Sequence, residues 1–176
     1  MKKKINLRWV ARIVLISVVV SVVFTFASSE ALERTGNIIA LVILLVFIGV
    51  GVMFDMIGAA VISAQEAPFH SMASRRERGA PEALKLLKNA EKASSYCNDV
   101  VGDVSGIVSG ATAALIAQKL SASLNTESVL LSLLVSGVVA GLTIWGKAIG
   151  KTRAINNSTA IVLRVGRFLN FFHIKK

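Results

Sequence analysis

Apolar positions in this chain come in long unbroken runs. Residues 9–27 are apolar apart from Arg12, and 38–64 carry a single charge, Asp55; two further runs occupy 100–120 and 129–149. Each reaches roughly the 20 residues that a helix needs to cross the hydrocarbon core of a bilayer. Polar residues collect between the runs, at 28–37, 65–99 and 118–128, and in a tail at 151–176. The pattern predicts an all-α membrane protein with four transmembrane helices plus amphipathic interfacial helices. The first of the latter covers 80–95. Pro81 stands at a helix start just after Gly79, Ala83, Leu84, Leu87 and Ala90 form an apolar face, and Lys85, Lys88 and Lys92 lie largely off it. This segment reads as a helix lying on the membrane surface or as a solvated connector. In the tail, Ile161, Val162, Val165, Phe168, Leu169 and Phe172 recur at helical spacing and predict a second interfacial helix. The run at 9–27 follows a basic start and ends at Ala27-Ser28-Ser29, as a secretory signal would. A retained helix fits better, because the run is long and the cleavage site poor.

Composition agrees. With 54% hydrophobic and 17% charged residues in 176, the chain is too apolar for a soluble domain of its size. The net charge of +10 is unevenly placed: the N-terminal segment, the 65–99 stretch and the tail hold nearly all of it, whereas the other two loops hold only Arg34 and Lys119. The positive-inside rule then places both termini and the central loop in the cytoplasm, with the protein in the cell membrane. In such a protein a basic excess reports orientation and anionic lipid. No nucleic-acid-reading motif is present, so the partner expected is the lipid bilayer and no nucleic acid. The lone Cys97 excludes an internal disulfide and, beside Asn98 and Asp99, reads as inert at a helix boundary. His70 and His173 stand alone, so a metal site here would be built from oxygen, which suits a hard cation such as magnesium; otherwise no cofactor is expected. No catalytic constellation emerges, and an enzyme is not expected. WGKAIGKT at 145–152 imitates a phosphate-binding loop, but Trp145 stands where its first glycine belongs and no strand precedes it. The glycosylation sequons at 156–159 fall on the side read as cytoplasmic and are discounted.

The candidate site lies where the second run leaves the membrane. FDMIGAAVISAQEAP, at 54–68, holds Asp55 and Glu66 with Ser63 beside the second acid. On one helix the two acids, eleven residues apart, share nearly the same face roughly 16 Å apart along the axis. Acids near membrane depth are costly to bury and default to function; the other reading has both solvated at the interface. Pro68 is expected to disturb the helix just beyond. In the third run Gly102, Gly106 and Gly110 recur every four residues beside a parallel row of Ser105, Ser109 and Ala113, and the fourth run repeats the spacing at Gly137 and Gly141. Small residues so spaced let helices approach closely in lipid and predict a homodimer.

The order of the short motifs carries information too. Ser63-x-x-Glu66 ends one helix, a basic amphipathic segment follows, Gly102-Asp103 opens a glycine-rich helix, and Gly146-Lys147-x-x-Gly150-Lys151 closes the last. This resembles the transmembrane domain of the CNNM/CorC family of magnesium-transport proteins, whose corresponding motifs are Ser-x-x-Glu, Gly-Asn and Gly-Glu-x-x-Pro-Lys. The resemblance spans about 38–170. It implies a core at 38–150 with a belt helix at 80–95, an extra N-terminal helix and external loop at 1–37, and a basic amphipathic cytoplasmic tail at 151–176. It also implies a homodimer and magnesium held by oxygens of Ser63, Glu66 and Asp103, with Asn98 the rival of Asp103 for the amide position. The family's CBS modules have no counterpart in the 176 residues, so a copy without that regulator is expected. One departure matters most. Lys147 stands at the family's acidic position, and an ammonium about 4 Å from a cation repels it by a few kcal/mol even at an effective dielectric near 20. Two functions stay open: a minimal magnesium-transport domain, or a non-transporting scaffold or regulatory subunit in which Lys147, paired with Asp103, Asp55 or Glu66, replaces the cation.

Overall fold

The computed structural model describes residues 7–33, 36–123 and 129–173. The basic start at 1–6, Arg34, residues 124–128 and the final lysines lie outside the described residues, whereas 118–123, expected as loop and including Lys119, continue the third apolar run as helix. The helices are α1 (Leu7–Glu33), α2 (Asn37–Ser63), α3 (Glu66–Ser74), α4 (Ala80–Lys88), α5 (Ala90–Ser95), a π-helical segment at Tyr96–Gly102, α6 (Asp103–Ser123), α7 (Val129–Asn156) and α8 (Ser158–His173). Among the described residues four stretches are long and apolar enough to cross a membrane: Leu7–Glu30, Asn37–Ser63, Ala90–Ser123 and Val129–Asn156. The fold is thus that of a multi-pass, all-α membrane protein, as the hydrophobic runs predict.

The chain forms two compact units, Met1–Gly51 with Asp99–Ile144 and Val52–Asn98 with Trp145–Lys176. In the first, α6 packs along α1. The buried face of α6 is Val104, Ser105, Val108, Ser109, Thr112, Ala113 and Ala117, every one small or β-branched. The hydroxyls of Ser109 and Thr112 on this face are satisfied within the protein, as lipid surroundings demand. Thr112 Oγ1 donates to the Val108 carbonyl at 2.8 Å, Ser109 Oγ to the Gly106 carbonyl at 3.0 Å, and Ser28 meets Thr112 at 3.3 Å. The row that packs is therefore the serine and alanine row. Gly106 and Gly110 face a groove in which an added Cβ would meet nothing within 4 Å. Gly102 is buried, and its carbonyl lies against Gly51 of α2. On α1, Val14, Leu15, Val18 and Val22 remain exposed, as lipid-facing side chains should be.

The second unit has the denser core, built from Ala60, Val61, Phe69, Ala80, Ala83, Leu87, Ala154, Val162 and Leu163. Here the chain turns earlier than Pro68 suggests. Helix α2 stops at Ser63, Gln65 is extended at φ −89° and ψ 144°, and Glu66 opens α3. Pro68 sits in the first turn of α3, where a missing N–H costs nothing because no carbonyl awaits it. The two acids are consequently not on one helix. A left-handed Gly79, φ +86°, starts α4 with Pro81 in its first turn. The expected 80–95 helix comes as two pieces, because Asn89 leaves helical geometry and its side chain donates to the Lys85 carbonyl at 3.2 Å. The apolar face of α4, Ala80, Ala83 and Leu87, is buried against protein: α4 packs on α8 and α3. That contact is closest at Gly166, whose missing side chain leaves room for the Gly79 carbonyl and for Ala83.

Candidate functional site

The chemistry of the second unit gathers around Asp55. Val52, Asp55, Met56 and Ala59 share one face of α2, and α7 lies against it. A Cβ on Gly146 would come within 3.1 Å of Val52, and one on Gly150 within 2.8 Å of Met56. The absence of side chains at these two positions, four apart, lets the helices close. That closure carries Lys147, on the intervening turn, to Asp55: Nζ and Oδ2 are 3.0 Å apart. Asp55 is buried, its side chain 7% exposed, whereas that of Lys147 retains 26%. The ammonium thus has a route to solvent along its aliphatic stem and the carboxylate has none.

The start of the π-helical segment also meets α2. Asn98 is seated on Gly58, where any Cβ would collide with its amide. Its Nδ2 donates to Ser94 Oγ at 3.1 Å, and its Oδ1 is buried without a hydrogen-bond partner among the described residues. Half-buried Cys97 is near enough to Asp55 to feel its charge. An extra residue per turn, as in a π-helix, re-aims side chains and is frequent at functional sites.

The other predicted residues sit elsewhere. Ser63 is exposed at the end of α2, about 12 Å along the axis from Asp55. Glu66 is half-exposed and its nearest ionic partner is His70, at 3.7 Å in the next turn. Asp103 belongs to the first unit, where it lines an open groove with Ser17, Ser21, Asp99 and Ile107. Of the charged residues predicted, Asp55 and Lys147 are brought into contact. Among the described residues no three His, Cys, Asp or Glu side chains are placed to hold a metal ion. Reading the sequence missed Gly58, Gly146 and Gly150 as packing positions. The spacing of the last two is a small-xxx-small signal, hidden by their likeness to a phosphate loop.

No family model, curated protein or solved structure matches the chain.

Proposed function

We propose that this integral membrane protein is a non-transporting scaffold or regulatory subunit of CNNM/CorC type, in which the Lys147 ammonium fills the place of a divalent cation. The observation that supports this reading is the 3.0 Å pair between Lys147 and buried Asp55. An ammonium there neutralises the acid that would otherwise attract a cation, and a magnesium ion about 4 Å from it would meet repulsion on the order of 8 kcal/mol at an effective dielectric of 20, twice the value for two unit charges. The test is magnesium entry into liposomes loaded with an indicator dye. Wild-type protein should leak no faster than protein-free liposomes and gain no thermal stability from magnesium. The Lys147→Glu variant, with two carboxylates facing each other, should acquire magnesium-dependent stability. Magnesium flux through the wild type would instead establish the alternative, a minimal transport domain using Ser63, Glu66 and Asp103.

The active form proposed is a homodimer built on the open glycines. Gly106 and Gly110 line a groove of about 330 Å³ with Ser109, Ala113, Ser136 and Ala140. A helix of a second copy would find small residues on the α6 side of a groove that Val139, Thr143 and Ile144 of α7 also line. Gly110→Leu should therefore weaken self-association by about ten-fold, ~1.4 kcal/mol, without lowering monomer stability. Energy transfer between labelled copies in vesicles measures the first, thermal unfolding in detergent the second.

A further inference from the structure

Helix α8 has two faces, and its contact with α4 covers one. Val162, Leu163 and Gly166 point at α4 and are buried. On the opposite face Arg164, Phe168 and Phe171 follow at helical spacing, with Phe172 beside them. Phe168, Phe171 and Phe172 are 63%, 62% and 59% exposed. Their rings form one cluster: Phe168 and Phe172 are 4.9 Å apart between centroids, Phe171 and Phe172 5.9 Å, each pair edge to face. Three grouped aromatic rings facing outward mark a surface that something covers.

Charge and connectivity say what. From Trp145 to its end the chain holds Lys147, Lys151, Arg153, Arg164, Arg167, Lys175 and Lys176 and no acid. Glu77 neutralises Arg167 at 2.9 Å and Asp55 neutralises Lys147; among the described residues no carboxylate pairs with Arg164, Arg153 or Lys151. The last apolar turn of α7 lies near Ile149, and α8 begins two residues after α7 ends at Asn156. Its start, nine residues on, is therefore at most about 13 Å beyond the hydrocarbon edge, at the outer margin of the headgroups, and any tilt of α7 brings it closer. Helix α2 leaves the membrane into this same unit, so α8 lies at the bilayer face where α2 and α7 both emerge. A basic helix with an aromatic face at that depth complements an anionic surface.

We propose that α8 is an anionic-phospholipid anchor, its Phe168, Phe171 and Phe172 cluster inserted between headgroups and Arg164 bound to their phosphates. The anchor does not depend on whether the protein carries a cation. The test uses the full chain in proteoliposomes, with Cys97→Ser and a nitroxide on Phe172→Cys, in vesicles of phosphatidylcholine alone or with about one quarter phosphatidylglycerol. With phosphatidylglycerol the label should be reached by oxygen and shielded from an aqueous nickel chelate. Removing the anionic lipid, or Arg164→Gln, should lower the docked-to-free ratio about five-fold per charge lost; Arg164→Lys should preserve it. Native mass spectrometry of the chain with Cys97 intact should show phosphatidylglycerol retained over phosphatidylcholine, and less of it with Arg164→Gln. Equal access of the nickel chelate in both vesicles would overturn the proposal. So would equal shielding in both with dipolar broadening between labels, which would put a second copy on this face.

Discussion

Lys147→Met should be the most destabilising single change in the polar part of the protein, lowering stability by about 3–5 kcal/mol, or roughly 10 °C in the thermal midpoint. The cost is not the loss of an attraction. It is the carboxylate left behind, because Asp55 is buried on α2 and no second cation pairs with it among the described residues. Asp55→Asn should cost less, since the partly exposed Lys147 can extend its stem and take its charge to water. The double variant Asp55→Asn with Lys147→Met should recover most of the loss, as neither residue then holds an unpaired charge. Thermal unfolding of all four proteins in one detergent, followed by helicity, closes the cycle. Additive losses in the double variant would mean that the two side chains do not form a pair, and the proposed role of Lys147 would go with it.

The spans were legible because lipid imposes one rule: backbone groups are satisfied within the segment and side chains are apolar, so length and composition suffice. Helix ends were less so. The break at Gln65 has no glycine or proline of its own, and Pro68 drew the boundary three residues too late because proline is as welcome in a first turn as it is disruptive in an interior. Asn89 similarly divides 80–95 by turning its side chain back on the Lys85 carbonyl, a local competition that periodicity does not register.

The site was legible only in its chemistry. Asp55 could be singled out as the one charge in a 27-residue helix, and Lys147 as a cation at the end of another. What joins them is the closeness of α2 and α7, set by Gly146 and Gly150, and no reading of single residues gives the rotation of one helix about another. The same limit explains the glycines of α6. Spacing announces that Gly106 and Gly110 form a notch; it does not say whether the notch is filled from within the chain. Within the described chain it is not, since the adjacent serine and alanine row makes the contact with α1.

The second large effect should come from Gly166, on α8. Glycine to alanine within a helix ordinarily stabilises it by about 1 kcal/mol, and at Gly137, open on α7, that gain should appear. At Gly166 the sign should reverse. The new methyl group would run into the Gly79 carbonyl and stand 3.0 Å from the Ala83 nitrogen, both backbone atoms. Gly79 has little freedom to retreat: its φ of +86° starts α4, and a Cβ there would itself collide with the Arg167 backbone. Overpacking of this kind costs about 1–3 kcal/mol, enough to outweigh the propensity gain, and Gly166→Leu should part α4 from α8 altogether. The separation would uncover Val162, Leu163 and Ala83 and release the Glu77–Arg167 pair, so the Arg75–Gly79 turn should become a trypsin site. Cleavage there should accelerate on the order of 100-fold if opening is rate-determining through its equilibrium. Cleavage at the wild-type rate in Gly166→Leu would mean that α4 and α8 are not in backbone contact, and the second unit would lose the joint that holds its core closed.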